Sequence, residues 1–486
     1  MRKNIKGVIM EKKRAAGVLA PIFALPSGYS SGSFGRYAYE FIDILKAGGF
    51  SYWQVLPFTL PDCFHSPYAS SSSFSLNPYF LDLEDLVERG LLTQSEIASA
   101  KEHTPTSCEY ERLAEERLSL LTLAADRFDE SARLEEFLSL HPYIEEYCRF
   151  EGLKAANGGV PWQQFETDIP DSRVYHTYAV LSYLFYEQWS ALHAYANERG
   201  ISLIGDLPIY VSLDSADVFF HPEFFALNED GSPRGVAGVP PDYFSADGQK
   251  WGNPLYNWDK MKEDGFSFWR VRIRHMLSLF DGVRLDHFRG FDTYFDIPAD
   301  APNARDGVWR EGARFAIIDA LREEAGEGLL IAEDLGELFP SVEELLSYSG
   351  FPGMRVFAFA FDGDNSPHRP DLYPQNAVAY SGTHDNDTLM GFFSKLSDEK
   401  RAWIFRYCGY EGWDLREGCL AAMKTLYASA ADLVVFPVQD LLFLGSDARF
   451  NTPGTAEGNW CFRITEEQMR SIDKEFFASL SAQYQR

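Results

Sequence analysis

The sequence predicts an α/β protein built as a (β/α)8 TIM barrel, with subdomains inserted between strands. Eight short runs along the chain are continuously apolar and bounded by turn residues, which is typical of strands buried on both faces of a parallel sheet. Amphipathic helical patterns separate most of the runs. Strands that alternate with helices form right-handed βαβ units, and eight units favour a closed barrel. An open, doubly wound sheet is the alternative.

The candidate strands follow one another in chain order. They are 17–26 (GVLAPIFALP), 50–58 (FSYWQVLPF), 200–211, 279–288, 328–336, 353–361, 376–385 and 432–442. Helical patterns precede the third, fourth, fifth, sixth and eighth runs, at 175–199, 266–279, 311–325, 340–348 and 413–430. Each of these helices supplies the crossover that two neighbouring parallel strands require.

Two stretches of the predicted single barrel chain, 1–486, do not fit the repeat. Residues 84–157 are charged and helical, and we expect an inserted helical subdomain; two decorative helices are the alternative. Its apolar face comprises Tyr110, Leu113, Ala114, Leu118, Leu121, Ala125 and Phe128. Residues 212–265 are rich in Gly, Pro, Asp and aromatics. We expect an irregular insertion that forms part of an active-site cleft, because loops after barrel strands build such clefts.

The composition indicates a globular protein with a strongly acidic balance. Of the 486 residues, 45% are hydrophobic and 24% are charged, which is not the composition of a disordered chain. Lys and Arg total 44, Asp and Glu total 72, and the formal net charge is −28. This charge repels phosphate backbones and anionic lipids, and it argues against nucleic acid and membrane as partners. A neutral sugar remains compatible, and the aromatic content of 15% offers rings on which sugars stack.

The six cysteines are scattered, and no two have the C-x-x-C spacing of a structural zinc site. Such a low density favours reduced thiols over a disulfide framework. The basic N-terminus lacks the apolar core of a signal peptide, and no run approaches the ~20 apolar residues of a membrane span. We therefore expect a cytoplasmic protein with no metal site.

Three acidic residues stand where apolar runs end. Asp286 ends GVRLD, Glu333 ends LLIAE, and Asp385 follows AVAYSGTH. If the runs are barrel strands, the three side chains lie on one rim; the alternative is that each caps the helix that follows. Two or three carboxylates without a metal suit glycosyl transfer, in which one attacks or stabilises the anomeric carbon and a protonated one donates to the leaving oxygen. A neighbouring negative charge helps that acid to keep its proton.

Seven segments together resemble one known family. Four strand-end segments are similar to the short motifs of the α-amylase clan: GDLPIYV (205–211), GVRLDHFRG (282–290), IAEDLG (331–336) and SGTHDND (381–387). Three more resemble the 4-α-glucanotransferase family, the amylomaltases or disproportionating enzymes: SPYASSSSFSLNPYFLDL (66–83), GVPPDYFSADGQKWGNPLYNW (238–258) and NTPGTAEGNW (451–460). The resemblance runs from about Gly17 to Trp460, and the order of all seven segments is very specific.

The resemblance implies a role for each carboxylate. Asp286 matches the nucleophile that forms a covalent β-glucosyl-enzyme, and Glu333 matches the general acid/base. Asp385 matches the third carboxylate, which binds sugar hydroxyls and stabilises the transition state. Arg284 would orient Asp286 and keep it ionised; a purely structural ion pair is the alternative.

Four further residues match substrate-binding positions of the family. His384 and Asp206 would hydrogen-bond sugar hydroxyls, although Asp206 could instead be a turn cap. Tyr68 would stack on the sugar ring at the cleavage point, with a core aromatic as the alternative. Trp251 lies on the loop that covers the acceptor side, where it could also merely anchor that loop.

The predicted function is transfer of an α-1,4-glucan segment to a 4-hydroxyl of glucose or another glucan. The resemblance implies a retaining double displacement without a cofactor, on maltooligosaccharides, starch-type α-glucans and glucose. An α-amylase-type hydrolase with the same three carboxylates is one alternative, although neither insertion shows the calcium-loop pattern of many such hydrolases. A non-enzymatic glucan-binding protein is the other, and it would be expected to have lost a carboxylate.

Overall fold

The structure is a computed structural model that describes residues 14–241, 246–336, 338–361, 363, 366–455 and 457–486. The strands within these ranges are β1 (Ala15–Leu19), β2 (Tyr52–Gln54), β3 (Ser202–Leu207), β4 (Gly235–Val239), β5 (Gln249–Pro254), β6 (Gly282–Leu285), β7 (Thr293–Pro298), β8 (Val308–Glu311), β9 (Leu329–Ala332), β10 (Gly353–Val356), β11 (Ala377–Tyr380) and β12 (Leu433–Pro437).

The α-helices lie mainly between these strands. They are α1 (Arg36–Ala47), α2 (Leu83–Glu88), α3 (Gln94–Ile97), α4 (Tyr110–Arg112), α5 (Leu118–Asp126), α6 (Ser131–Leu140), α7 (Pro142–Ala156), α8 (Ser172–Glu198), α9 (Ala216–Phe220), α10 (Trp258–Glu263), α11 (Ser267–Leu279), α12 (Arg314–Ala325), α13 (Pro340–Ser349), α14 (Leu389–Lys395), α15 (Asp398–Tyr407), α16 (Leu415–Ala428), α17 (Val438–Leu441), α18 (Glu466–Arg470) and α19 (Lys474–Tyr484).

Eight parallel strands close into a barrel in the order β1, β2, β3, β6, β9, β10, β11 and β12. The last strand pairs with the first, with Ala15 opposite Leu433. Each of the eight apolar runs of the sequence supplies one of these strands, so the predicted (β/α)8 barrel is confirmed and the open sheet is excluded. Every residue of β1, β11 and β12 is buried, which explains why the runs show no polar alternation.

A second sheet lies outside the barrel and was not predicted. It is antiparallel, in the order β5, β4, β7 and β8. Two of its strands fall within 212–265, so the expectation of irregular backbone there was wrong. β4 is short and apolar, with the sequence GVAGV. β5 carries no apolar pattern, because its residues Lys250–Gly252 are exposed. Pairing with β7 and β8, which lie beyond the segment, forms the sheet.

The segment 84–157 is helical, as its pattern indicated, with one difference in the apolar face. A π-helical turn, Leu113–Arg117, joins α4 to α5. The wider turn shifts the helical register, which leaves Ala114 exposed and buries Arg117. The Arg117 guanidinium donates to the carbonyl oxygen of Tyr79 at 3.3 Å and to that of Leu81. Buried donors of this kind satisfy carbonyls that would otherwise lack partners.

Within the described ranges, no helix combines the length and the apolar character needed to cross a membrane.

Candidate active site

The predicted site residues lie at the carboxyl ends of the barrel strands. Asp286 directly follows β6 and Glu333 directly follows β9, whereas Asp385 lies five residues beyond β11. Asp206 and Arg284 are opposite each other in the ladder of β3 and β6. Since parallel strands in a barrel end on the same rim, the fold brings all five side chains to the face where barrel active sites form.

Arg284 connects two of the carboxylates. Its Nη1 donates to both oxygens of Asp206, at 2.8 and 2.9 Å. Its Nη2 lies 2.9 Å from Oδ1 of Asp286. The guanidinium is buried, with only 4% of the side chain exposed. A buried guanidinium shared by two carboxyl groups forms strong, charge-assisted hydrogen bonds, so Arg284 fixes the Asp286 side chain at the floor of the site.

Glu333 is held by two backbone amides. His287 N–H donates to Oε2 at 2.8 Å, and Leu335 N–H donates to Oε1 at 3.0 Å. Burial nevertheless raises the pKa of Glu333 to about 7; the Arg284 cation opposes this rise and the Asp286 anion adds to it. At neutral pH, Glu333 is therefore able both to donate a proton and to take one back.

The left-handed backbone of His287, with φ of 49°, turns the chain out of β6. This turn places the His287 N–H toward Glu333 while Asp286, one residue earlier, faces Arg284. Asp286 and the backbone amide that binds Glu333 thus belong to adjacent residues of one turn. A non-glycine residue in this conformation carries backbone strain, and strain of this kind clusters at active sites.

Asp385 is held from both sides. His384 Nε2 lies 3.3 Å from Oδ2, and Asn451 Nδ2 donates to Oδ1 at 2.6 Å. Arg449 also donates to the Asp385 backbone carbonyl at 2.9 Å. Burial acts to raise the pKa of Asp385, but the His384 charge and these hydrogen bonds outweigh it and lower the pKa. Asp385 is therefore a fixed, ionised acceptor for hydroxyl groups.

Tyr68 connects Asp206 to His384. Its hydroxyl donates to Oδ2 of Asp206 at 2.8 Å and lies 2.9 Å from Nε2 of His384. The Tyr68 ring is inclined by 20° to the His384 imidazole, with centroids 5.2 Å apart, and the Trp460 ring lies 5.7 Å away. The aromatic group beside the carboxylates is thus fixed in orientation before any ligand binds.

Trp251 lies apart from this network, on β5 of the outer sheet. Its side chain is among the few large apolar ones exposed, at 39%. The indole is edge-on to the His287 imidazole, with centroids 5.0 Å apart, and 6.2 Å from the Tyr210 ring. Trp251 therefore faces the turn that carries Asp286 and His287.

One cleft of about 1260 Å³ is lined by all of these groups except Asp206 and Arg449. Its wall includes Asp286, Glu333, Asp385, Tyr68, Trp251, Arg284 and His384. Asp206 lies beneath this wall, fully buried behind Tyr68 and Arg284. The outer sheet and its flanks contribute Val239–Pro241 and Gln249–Asn253 to the same cleft. A cleft of this size accommodates several sugar rings.

Two polar groups at the site were not predicted as site residues, namely the side chains of Asn451 and Arg449. Asn451 belongs to the NTPGTAEGNW segment, whose similarity to the family was noted without a role for the amide. Arg449 stands two residues before that segment and carried no signal. Both reach Asp385 from 64 or more positions away along the chain, and spacing alone does not indicate such a contact.

The raised pKa of Glu333 predicts the pH dependence of the first chemical step. The acid form falls as pH rises through about 7, so kcat/KM on maltotriose should decline about tenfold per pH unit at higher pH. α-Glucosyl fluoride needs little proton assistance, and its profile should lack this alkaline limb. A profile on maltotriose that stays flat from pH 6 to 9 would contradict the assignment of the acid.

The fold and the site together indicate a class of enzyme. A TIM barrel whose rim carries one carboxyl group held by a buried arginine, and a second carboxyl group with a pKa of about 7, has the pair of acidic side chains typical of enzymes that act on glycosidic bonds. A model of the family described as 4-alpha-glucanotransferase matches residues 20–469. The chain therefore belongs to the 4-α-glucanotransferase family, as its segments predicted. The family match does not favour the hydrolase alternative.

Similar proteins align over nearly the whole chain. The 4-alpha-glucanotransferase of Thermus thermophilus is 41% identical, with 94% of this chain and 95% of the relative aligned. The chloroplastic/amyloplastic 4-alpha-glucanotransferase of Arabidopsis thaliana is 36% identical over 93% of this chain and 82% of its own length. Among solved structures, amylomaltase from Streptococcus agalactiae in complex with acarbose is 35% identical, with a TM-score of 0.93 over 98% of this chain and 100% of that one.

Proposed function

We propose that this chain transfers α-1,4-glucan segments to the 4-hydroxyl of glucose or another glucan, by a retaining double displacement. Maltooligosaccharides and starch-type α-glucans are the donors. The family supports the reaction class, and a relative bound to acarbose supports a glucan in the cleft. The observation that carries the mechanism is the pairing of Asp286, held by Arg284, with Glu333, whose pKa is about 7.

In the first step, Asp286 attacks the anomeric carbon. Its Oδ1 is held by Arg284, and we assign the attack to Oδ2. The bond from the anomeric carbon to the leaving oxygen breaks as Glu333 gives that oxygen its proton, which releases the shortened chain. In the second step, ionised Glu333 takes the proton of an acceptor 4-hydroxyl, and this oxygen displaces Asp286. Two inversions at one carbon give net retention.

We assign the remaining residues to binding. Asp385, fixed by His384 and Asn451, would accept hydrogen bonds from sugar hydroxyls and strengthen them in the transition state. Tyr68 would provide the ring against which the sugar at the cleavage point stacks. Asp206 is bonded to both Tyr68 and Arg284, and we therefore propose that it orients these two residues more than it contacts sugar.

The test of this function is a single incubation with maltotriose. Transfer predicts glucose together with maltopentaose and longer oligomers, while the number of reducing ends stays constant. Hydrolysis predicts glucose and maltose with a rising number of reducing ends, and that outcome would reject the proposal.

Four further expectations belong to this proposal. We propose that 212–265 contributes the acceptor-side wall of the cleft and that 84–157 is a subdomain inserted into a single barrel chain. We also propose a cytoplasmic location, on the scattered spacing of the six cysteines. The reaction needs no metal or cofactor, so activity should survive exhaustive chelation.

Trp251 is proposed to favour a sugar acceptor over water. Its exposed ring faces the turn that carries Asp286, where an acceptor sugar would stack and displace water from the glycosyl-enzyme. Trp251→Ala should lower transfer about tenfold and hydrolysis much less, so the ratio of reducing ends released to oligomers redistributed rises. Trp413, which is 63% exposed and does not line the cleft, is the matched control.

The competing role for Trp251 is that of an anchor for its loop. In that case, Trp251→Ala would lower transfer and hydrolysis in parallel and reduce the melting temperature, whereas Trp413→Ala would change neither rate. Rates of both reactions and the melting temperature, measured on both variants, separate the two roles.

A further inference from the structure

The eighth apolar run also contains a carboxylate near its end, Asp440, and the mechanism does not use it. Asp440 lies in α17, directly after β12, and is 2% exposed. Burial raises its pKa to about 6. An ionised carboxylate in such a position is costly unless hydrogen bonds compensate, so its partners indicate what it does.

Asp440 bonds to both ends of one loop. Ser381 Oγ donates to its Oδ2 at 2.6 Å, and the Leu389 backbone N–H donates to its Oδ1 at 2.7 Å. Residues 381–389, here called the carboxylate loop, connect β11 to α14 and carry His384 and Asp385. The two oxygens of one buried carboxylate thus fix the start and the end of the loop that bears the third carboxylate.

Gln439, the residue before Asp440, fixes a second segment that contacts Asp385. Gln439 is buried, and its Nε2 donates to the Ala448 carbonyl at 3.0 Å. Ala448 lies within residues 446–451, here called the clamp segment. This segment donates to the carboxylate loop from three residues. Ser446 Oγ donates to Asp387 at 2.9 Å, and Arg449 donates to the Asp385 carbonyl at 2.9 Å. Asn451 donates twice, from Nδ2 to the Asp385 side chain at 2.6 Å and from its backbone N–H to the His384 carbonyl at 3.2 Å.

We propose that Gln439 and Asp440 are positioning residues for Asp385, acting from the end of β12 through the clamp segment and the carboxylate loop. This inference rests on the proposed function and deepens it. Asp440 fixes the backbone of the loop that carries Asp385. Gln439 fixes the clamp segment, whose Asn451 orients the Asp385 side chain. Neither residue lines the cleft, so neither contacts substrate.

The expected signature is a loss in kcat. A displacement of about 1 Å at a catalytic group costs up to about 10²-fold, and in the proposed function Asp385 acts mainly on the transition state. Asp440→Asn keeps the volume but replaces one acceptor with a donor. It should lower kcat for maltotriose about 10- to 100-fold, while KM changes less than about threefold.

Asp281→Asn is the matched control. Asp281 also accepts a backbone N–H, from Leu203 at 2.7 Å, and a side-chain contact, from His193 at 3.0 Å. It directly precedes β6, so it lies at the opposite end of the barrel from the active site. Both variants should lose stability, but only Asp440→Asn should lose kcat when each is assayed well below its melting temperature.

A double-mutant cycle tests whether Asp440 acts through Asp385. Adding Asp440→Asn to Asp385→Asn should produce little further loss on α-glucosyl fluoride, because the group to be positioned is already removed. Full multiplication of the two losses would overturn the proposal. Gln439→Met, which removes the bond to Ala448, is the second variant if Asp440→Asn does not fold, and it should give the same kcat signature.

The outcomes separate this inference from the proposed function. A wild-type enzyme that does not transfer glucan overturns both. A wild-type enzyme that transfers, together with equal effects of Asp440→Asn and Asp281→Asn on kcat, overturns the positioning role alone.

Discussion

Asp286→Asn should abolish both transfer and hydrolysis, with kcat lowered by about 10⁴-fold or more. An amide is not a nucleophile, and no covalent intermediate can form without one. The loss should be as large on α-glucosyl fluoride as on maltotriose, because a better leaving group does not replace an attacking oxygen. Initial rates on the two donors provide the measurement.

The variant should nevertheless fold normally. Arg284 keeps both hydrogen bonds to Asp206 when Asp286 loses its charge, so no buried cation is left unpaired. An unchanged melting temperature then shows that the activity loss is chemical. Activity within about tenfold of wild type would mean that another carboxylate is the nucleophile.

Glu333→Gln should produce a loss that depends on the leaving group. On maltotriose we expect kcat/KM to fall about 10³- to 10⁴-fold, because the departing sugar oxygen receives no proton. On α-glucosyl fluoride the formation of the glycosyl-enzyme should fall far less, since fluoride departs almost unassisted. Equal losses on both donors would show that Glu333 is not the acid.

The environment of Glu333 requires a stability control for that variant. Both of its oxygens accept backbone N–H groups, from His287 and Leu335. A glutamine places its NH₂ against one of these donors, which costs about 1–3 kcal/mol. The melting temperature should therefore fall modestly, and rates on the two donors must be compared within the same protein sample.

The barrel and its carboxylates could be predicted because both are local features of the sequence. A strand buried on two faces is a continuous apolar run whatever its neighbours are, as in β12. An acidic residue at the end of such a run, such as Asp286 or Glu333, has few possible roles other than a place in the active site. Both the strands and the acidic residues that follow them can therefore be recognised from segments of fewer than about ten residues.

The outer sheet and the supports of Asp385 could not be predicted, because they depend on pairing between distant residues. β5 is largely exposed and becomes a strand only by pairing with β4. Asn451 meets Asp385 across 66 positions, and nothing near Asn451 indicates a carboxylate partner. Tyr68 was expected at the site only through the resemblance, since no periodicity distinguishes it from a core aromatic.

The central claim is a covalent glucosyl-enzyme on Asp286, and trapping tests it most directly. When the Glu333→Gln variant is given α-glucosyl fluoride without an acceptor, the glucosyl-enzyme should form faster than it breaks down. Breakdown is slow because no base activates the incoming hydroxyl. Mass spectrometry of the digested protein should then find one glucosyl unit on the peptide that contains Asp286. An adduct on a different peptide, or rapid turnover of the fluoride with no adduct at all, would contradict the account.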